Sequence, residues 1–173
     1  MRDVSVREAD AAARLVLRCR DDVAGLAGVL GFALPQRVCG AVGDGRRSAL
    51  KLGPDEWLLL APEADGAALA AGLELALARV PHALVDVGHR QCGLAAAGPR
   101  VADLLNAGCP LDLGEAAFPV GMATRTVLGK AEVVLWRTAA DGFRIEVWRS
   151  FAPYVRRFLA EAALEFGPAE VRP

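Results

Sequence analysis

The order in which two apolar patterns succeed each other most constrains what this chain can fold into. The segment AARLVLRC (Ala12 to Cys19) is aliphatic at alternate places and predicts a strand. RDDVAGLAGVLG follows, with Asp21 or Asp22 as N-cap and Gly31 as C-cap, and predicts a short helix. SALKL and EWLLLAP flank GPD, a tight-turn signal between two strands. An Ala/Leu helix is expected from about Asp65 to Arg79, ended by Pro81, and HALVDV (His82 to Val87) reads as a fourth strand. The order is β-α-β-β-α-β, the ferredoxin-like split unit.

The rest of the chain starts the same way. QCGLAAAG (Gln91 to Gly98) reads as a strand, and PRVADLLNAG as a helix with Pro99 near its first turn and Gly108 at its end. CPLDLGEAAFPVG is irregular, and three strands follow: MATRTVLG, AEVVLWRT and FRIEVWRS. Gly129-Lys130 and Asp141-Gly142 mark the turns, Asp-Gly being a strong hairpin signal. FAPYVRRFLAEAALEF closes as a helix with Phe151, Val155, Phe158, Leu159 and Ala162 at helical spacing. The expected fold class is α+β. Two pseudo-repeated ferredoxin-like halves of β-α-β-β-α-β type, about 10–87 and 88–167, would pack as one domain over 1–173, with 168–173 a frayed tail.

At 173 residues the chain suits one compact domain, and a mean hydropathy of +0.30 leaves apolar residues over for a partner surface. Twenty basic and 21 acidic residues are interspersed, which argues against the basic face of a nucleic-acid binder. The start MRDVSVREAD has no apolar signal-peptide region, and no apolar run reaches membrane-spanning length. ADGAALAAGLELALARV is interrupted by Asp65, Glu74 and Arg79 and reads as an amphipathic helix. A cytoplasmic protein without membrane contact is expected. Cys19, Cys39, Cys92 and Cys109 are scattered without a CxxC pair and read as buried hydrophobes.

The chemistry-bearing residues form no recognisable constellation. His89, Cys92 and Cys109 lack the second close pair that a structural zinc site needs. Ser48 and Ser150 have no G-x-S-x-G context, and His82 and His89 are the two histidines. Asp86, before Gly88 at a strand end, reads as a residue bonding a nearby backbone N–H, and a ligand-facing base is the rarer use. Asp112 and Glu115 read as solvated. GAVGDG (Gly40 to Gly45) lacks the ending and strand-to-helix context of a phosphate loop and reads as a mobile loop or hairpin tip. Trp57, Trp136 and Trp148 all fall in strands and read as core, and EVWRSFAPYVRRF as a basic edge beside a packed aromatic face. No catalytic, cofactor-binding or metal-binding residue is expected.

GPDEWLLLAP, VDVGHRQCGLAAAGPRVADLLNAGCPLDL, FPVGMATRTVLGKAEVVLWR and FRIEVWRSFAPYVRRFL together resemble the gamma subunit of heterotetrameric sarcosine oxidase. The blocks match in order and spacing over nearly the whole chain after about residue 10. Asp86 with the strand, glycine and helix after it is similar to the folate-binding domain of aminomethyltransferases. The resemblance implies a non-catalytic accessory subunit of an oxidoreductase complex that demethylates sarcosine, or a related secondary amine, with tetrahydrofolate and oxygen. It implies alpha, beta and delta subunits as partners, with FAD, FMN, NAD, tetrahydrofolate and zinc on those subunits and none in this chain. Apolar anchors beside arginine are the usual makings of an interface core. Leu111, Leu113, Phe118, Trp148 and Arg149 are the expected partner contacts. The rival readings are a stand-alone folate-binding or aminomethyltransferase-like protein, with Asp86 near a pocket between the halves, and a free-standing regulatory domain.

Overall fold

The computed structural model describes residues 3–20 and 23–166, and the backbone of 170–171. The chain opens with β1 (Ser5–Glu8) and β2 (Ala12–Cys19). A 3-10 turn at Ala24–Leu26 leads into α1 (Ala27–Leu30), followed by β3 (Ala41–Gly43), β4 (Ser48–Gly53) and β5 (Glu56–Pro62). Next come α2 (Gly66–Ala76), β6 (His82–Asp86), β7 (Gln91–Ala97) and α3 (Val101–Asn106). β8 (Ala123–Leu128), β9 (Ala131–Ala139), β10 (Gly142–Trp148), α4 (Ala152–Ala163) and β11 (Glu170–Val171) complete the order.

The chain divides into two compact units, Ala11–His89 and a second formed by Met1–Asp10 with Arg90–Pro173. The first unit carries one antiparallel sheet in the order β3-β4-β5-β2-β6. The second carries a sheet in the order β11-β1-β7-β10-β9-β8, antiparallel except where β11 lies parallel to β1. The first unit reads β-α-β-β-β-α-β, and the second repeats that order from β7 to β11 with β1 added before it. The first half was expected to have only two strands between its helices, and β3 is the correction. Its three residues, flanked by Gly40 and containing Gly43, are too short to show a period, and only pairing of Ala41, Val42 and Gly43 with Leu50, Ala49 and Ser48 makes them a strand. The expected halves began at about residue 10, whereas residues before Ala11 belong to the second unit through β1. The expected frayed tail lies mostly outside the described residues, but Glu170–Val171 pairs with Ser5 and Val6. The N-cap expected at Asp21 or Asp22 also lies outside them.

Alternation decides which residues enter each core. Leu15, Leu17, Trp57, Leu59 and Ala61 face Leu26, Leu30, Leu69 and Leu73 of the helical layer in the first unit. Leu94, Leu135, Phe143, Ile145 and Val147 face Leu104, Leu105, Val155 and Leu159 in the second. Each such leucine contributes about 1.5–3 kcal/mol on burial. Gly31 caps α1 at φ 91°, as expected. α2 stops at Ala76 rather than near Arg79, the chain turning before Pro81. In α4 the buried line is Ala152, Val155, Leu159 and Ala163. Phe151 stands at its N-cap, one position before the line, and is exposed.

Candidate interaction surface

The irregular segment 107–122 is fastened from beneath. Asn106 Nδ2 donates to the carbonyls of Cys109 (3.3 Å) and Leu111 (2.5 Å). Asp112 Oδ1 accepts the Gly114 N–H at 2.8 Å, a local side-chain turn. Arg137 of β9 is only 5% exposed, and its Nη1 donates to the carbonyls of Leu113 (3.1 Å) and Phe118 (3.0 Å). Its Nε donates to Ala139 O at 3.3 Å, its Nη2 to Ala140 O, and the guanidinium lies 5.1 Å from the Phe143 ring centroid. Four backbone acceptors thus disperse one buried charge, and the segment is held onto the sheet. Leu113 and Phe118 lie fully inside this core, Phe118 at 6.1 Å from the Phe143 ring. That removes both from the expected partner contacts: with no exposed side-chain area they have nothing to offer another chain. Leu111 stays partly exposed at the edge of the same cluster.

The corner where β10 runs into α4 has the opposite character. Trp148 is 40% exposed, Phe151 42% and Tyr154 38%, with Arg149 exposed between the first two. Trp148 was expected in the core. On β10 the residues Phe143, Ile145 and Val147 point to the helices, so Trp148, opposite Gln91, points the other way at the last rung. The Trp148 and Phe151 rings stand 6.4 Å apart, and Arg90 lies 5.1 Å from the Trp148 ring. The Arg149 N–H donates to Arg90 O at 2.8 Å, fixing that corner. Tyr154 stacks on Phe158 at 6.3 Å and accepts the Lys130 N–H at 3.1 Å. Glycine is required beneath the pair: a Cβ at Gly108 would sit 2.6 Å from the Phe158 ring, and Gly129 has φ 62° directly under the Tyr154 hydroxyl. The aromatic face is therefore firmly mounted yet half open, rather than packed away.

The family model described as the sarcosine oxidase gamma subunit family matches residues 21–165. The chain belongs to that family. It is 38% identical over 149 residues to the sarcosine oxidase subunit gamma of Corynebacterium sp. strain P-1, covering 86% of this chain and 72% of that one. A chain of heterotetrameric sarcosine oxidase from Corynebacterium sp. U-96 superposes with a TM-score of 0.88 at 36% identity, over 98% of this chain and 88% of that chain. The aminomethyltransferase T of the glycine cleavage system from Bartonella henselae superposes at 0.71 with 17% identity, over 98% of this chain and 47% of that chain. That last likeness is one of fold, and it agrees with the α+β class expected from the sequence.

Elsewhere in this gamma-family chain the polar candidates are dispersed. Cys109 is buried in the second unit's core and lies 3.7 Å from Thr126 Oγ1, Cys92 packs at its margin, and His89 is exposed. Among the described residues no three His, Cys, Asp or Glu side chains gather as a metal site would require. Asp86 Oδ1 accepts the Gly88 N–H at 2.7 Å. GAVGDG forms the β3–β4 hairpin, where Asp44 Oδ1 accepts the N–H groups of Arg46 (2.8 Å) and Arg47 (2.7 Å). Arg46 in turn grips Asp65 through bonds of 3.0 and 2.9 Å, and this pairing holds the Asp65 carboxyl below its ordinary pKa. No helix among the described residues is long and apolar enough to cross a membrane.

Three buried cations escaped the sequence reading: Arg14 of β2, Arg137, and Lys51 of β4, which is 6% exposed with Nζ 4.5 Å from the Trp57 ring centroid. The signal was there, a positive charge inside the apolar runs AARLV, SALKL and VVLWRT. Alternation alone cannot tell a buried cation from one at the solvated face.

Proposed function

We propose that the chain is a non-catalytic accessory subunit of a sarcosine-oxidase-type complex, presenting the β10–α4 corner to a larger subunit. Family membership with superposition along nearly the whole chain supports this reading. Trp148, Arg149, Phe151 and Tyr154, with Leu111, are the contacts. Tryptophan, tyrosine and arginine carry most interface energy, and a rigidly mounted, half-exposed aromatic group loses little conformational freedom on docking. The partners are alpha, beta and delta subunits in the cytoplasm, and FAD, FMN, NAD, tetrahydrofolate and zinc reside on them. The reaction served is oxidative demethylation of sarcosine or a related secondary amine.

Co-expression with the flavoprotein subunits of such an oxidase, followed by size-exclusion chromatography with a flavin absorbance trace, tests the proposal. Stoichiometric co-elution with flavin is expected, with Trp148→Ala weakening assembly by about 2 kcal/mol or more. A clean monomer that ignores those subunits and binds reduced folate would overturn it, and Asp86 would become the residue to mutate.

A further inference from the structure

Two of the buried cations, Lys51 and Arg137, occupy matching places. Lys51 stands near the end of β4 and pairs with Trp57 of β5, its ammonium over the indole. Arg137 stands near the end of β9 and pairs with Phe143 of β10, its guanidinium over the phenyl ring. Each precedes a hairpin turn beside a register shift in the ladder. The difference lies in what completes them. The connection 107–122 folds over Arg137 and supplies the carbonyls of Leu113 and Phe118. The corresponding connection 31–40 gives the carbonyl of Pro35 to Trp57 Nε1 (3.0 Å) and that of Gly40 to the Lys51 backbone N–H (2.9 Å), but none to the Lys51 ammonium. No ion pair or hydrogen bond among the described residues engages the Lys51 ammonium. In place of the covering segment there is a cavity of 480 Å³, walled by Lys51, Trp57, Leu34, Val23 and Pro54, with Arg20 and Gln36 at its exposed rim.

The Lys51 side chain is largely buried, but its ammonium opens onto the cavity and meets the indole face on its other side. The indole attracts the ammonium, and its three N–H donors remain to be used. We propose that this cavity is a binding site for a small organic acid with a flat apolar body. The carboxylate accepts from Lys51 Nζ, as the carbonyls of Leu113 and Phe118 accept from Arg137, and the body lies among Trp57, Leu34, Val23 and Pro54. The 480 Å³ volume falls within the range of about 300–1,000 Å³ typical of small-molecule pockets. The carboxylate is the specific part, since a charge-assisted bond to Lys51 Nζ favours it over the uncharged analogue. This site is separate from the subunit role and stands or falls independently of it.

Equilibrium dialysis of the full chain against benzoate, and separately against benzamide of the same shape, tests the proposal. Saturable benzoate binding is expected, with benzamide at least about tenfold weaker. Lys51→Met should lower benzoate to the level of benzamide and leave benzamide unchanged, with near-ultraviolet circular dichroism confirming the fold. Ala33→Trp, which narrows the cavity while keeping Lys51, should weaken both ligands. Equal affinity for benzoate and benzamide, unchanged benzoate binding in Lys51→Met, or no benzoate binding up to about 20 mM would each overturn it.

Discussion

Arg137 and Lys51 sit at equivalent corners of two units that share a β-α-β-β-β-α-β repeat, yet one is sealed by its own chain and the other opens on a cavity. The units differ in a second way. In the first, β6 pairs directly with β2 and completes the sheet. In the second, β1 occupies that place beside β7, and β11 is displaced outward to pair parallel with β1. A repeat at the level of strand order has thus been closed by different segments and filled by different loops. The lesson is that a ferredoxin-like unit tolerates a buried cation near its β-hairpin in two ways, with backbone acceptors supplied internally or with a space left for an acceptor from outside.

The sharpest way to break this comparison is Arg137→Met. It strips the donors from four backbone carbonyls and should cost about 3–5 kcal/mol, read from urea unfolding. A loss under about 1 kcal/mol would mean that the segment 107–122 holds itself. Gly98→Ala addresses the closure by β1. Gly98 has φ 129°, and a Cβ there would press on the Asp3 carbonyl at the entry to β1. A loss of about 2 kcal/mol is expected, with amide exchange accelerated in β1 and β7 and unchanged in β2–β6. Lys51→Met should be nearly neutral, within about 1 kcal/mol, because a thioether of similar length replaces a charge that no protein acceptor compensates. If it proves as costly as Arg137→Met, the two corners are alike after all.

The smallest effect belongs to His82 at the start of β6. Its Nδ1–H donates to Val80 O at 2.8 Å and its Nε2 meets Glu74 Oε2 at 3.1 Å. The Val80 carbonyl chiefly, against some burial and with help from Glu74, raises its pKa above the ordinary 6.5. The folded state therefore binds this proton more tightly than the unfolded chain. Its contribution is fully present below pH 6.5 and fades as the pH climbs through the raised value. Thermal melts from about pH 5 to 8 should show a shallow decline in Tm that His82→Gln flattens.

Several elements were legible because local pattern carried them. The Asp-Gly turn, the Gly31 cap and the alternation in AARLVLRC each rest on the chain's own steric preferences. β1 and β3 were not legible, because segments this short become strands only when a partner strand supplies the ladder, β7 for β1 and β4 for β3. Among the expected contacts, Trp148, Arg149 and Leu111 keep exposed surface, while Leu113 and Phe118 do not. Their apolar character reads the same for a core and for an interface, and the covering geometry set by Arg137 is what separates them.

By itself the sequence determined the α+β class, the internal repeat and the gamma-subunit resemblance, since all three follow from patterns between neighbours or from blocks in fixed order. Only the tertiary structure decided which strand closes each sheet, which aromatic groups stay open, and that Lys51 and Arg137 are paired opposites. Those outcomes depend on hydrogen-bond partners and packing far apart in the chain, and no local pattern records whether a buried charge has found its acceptors.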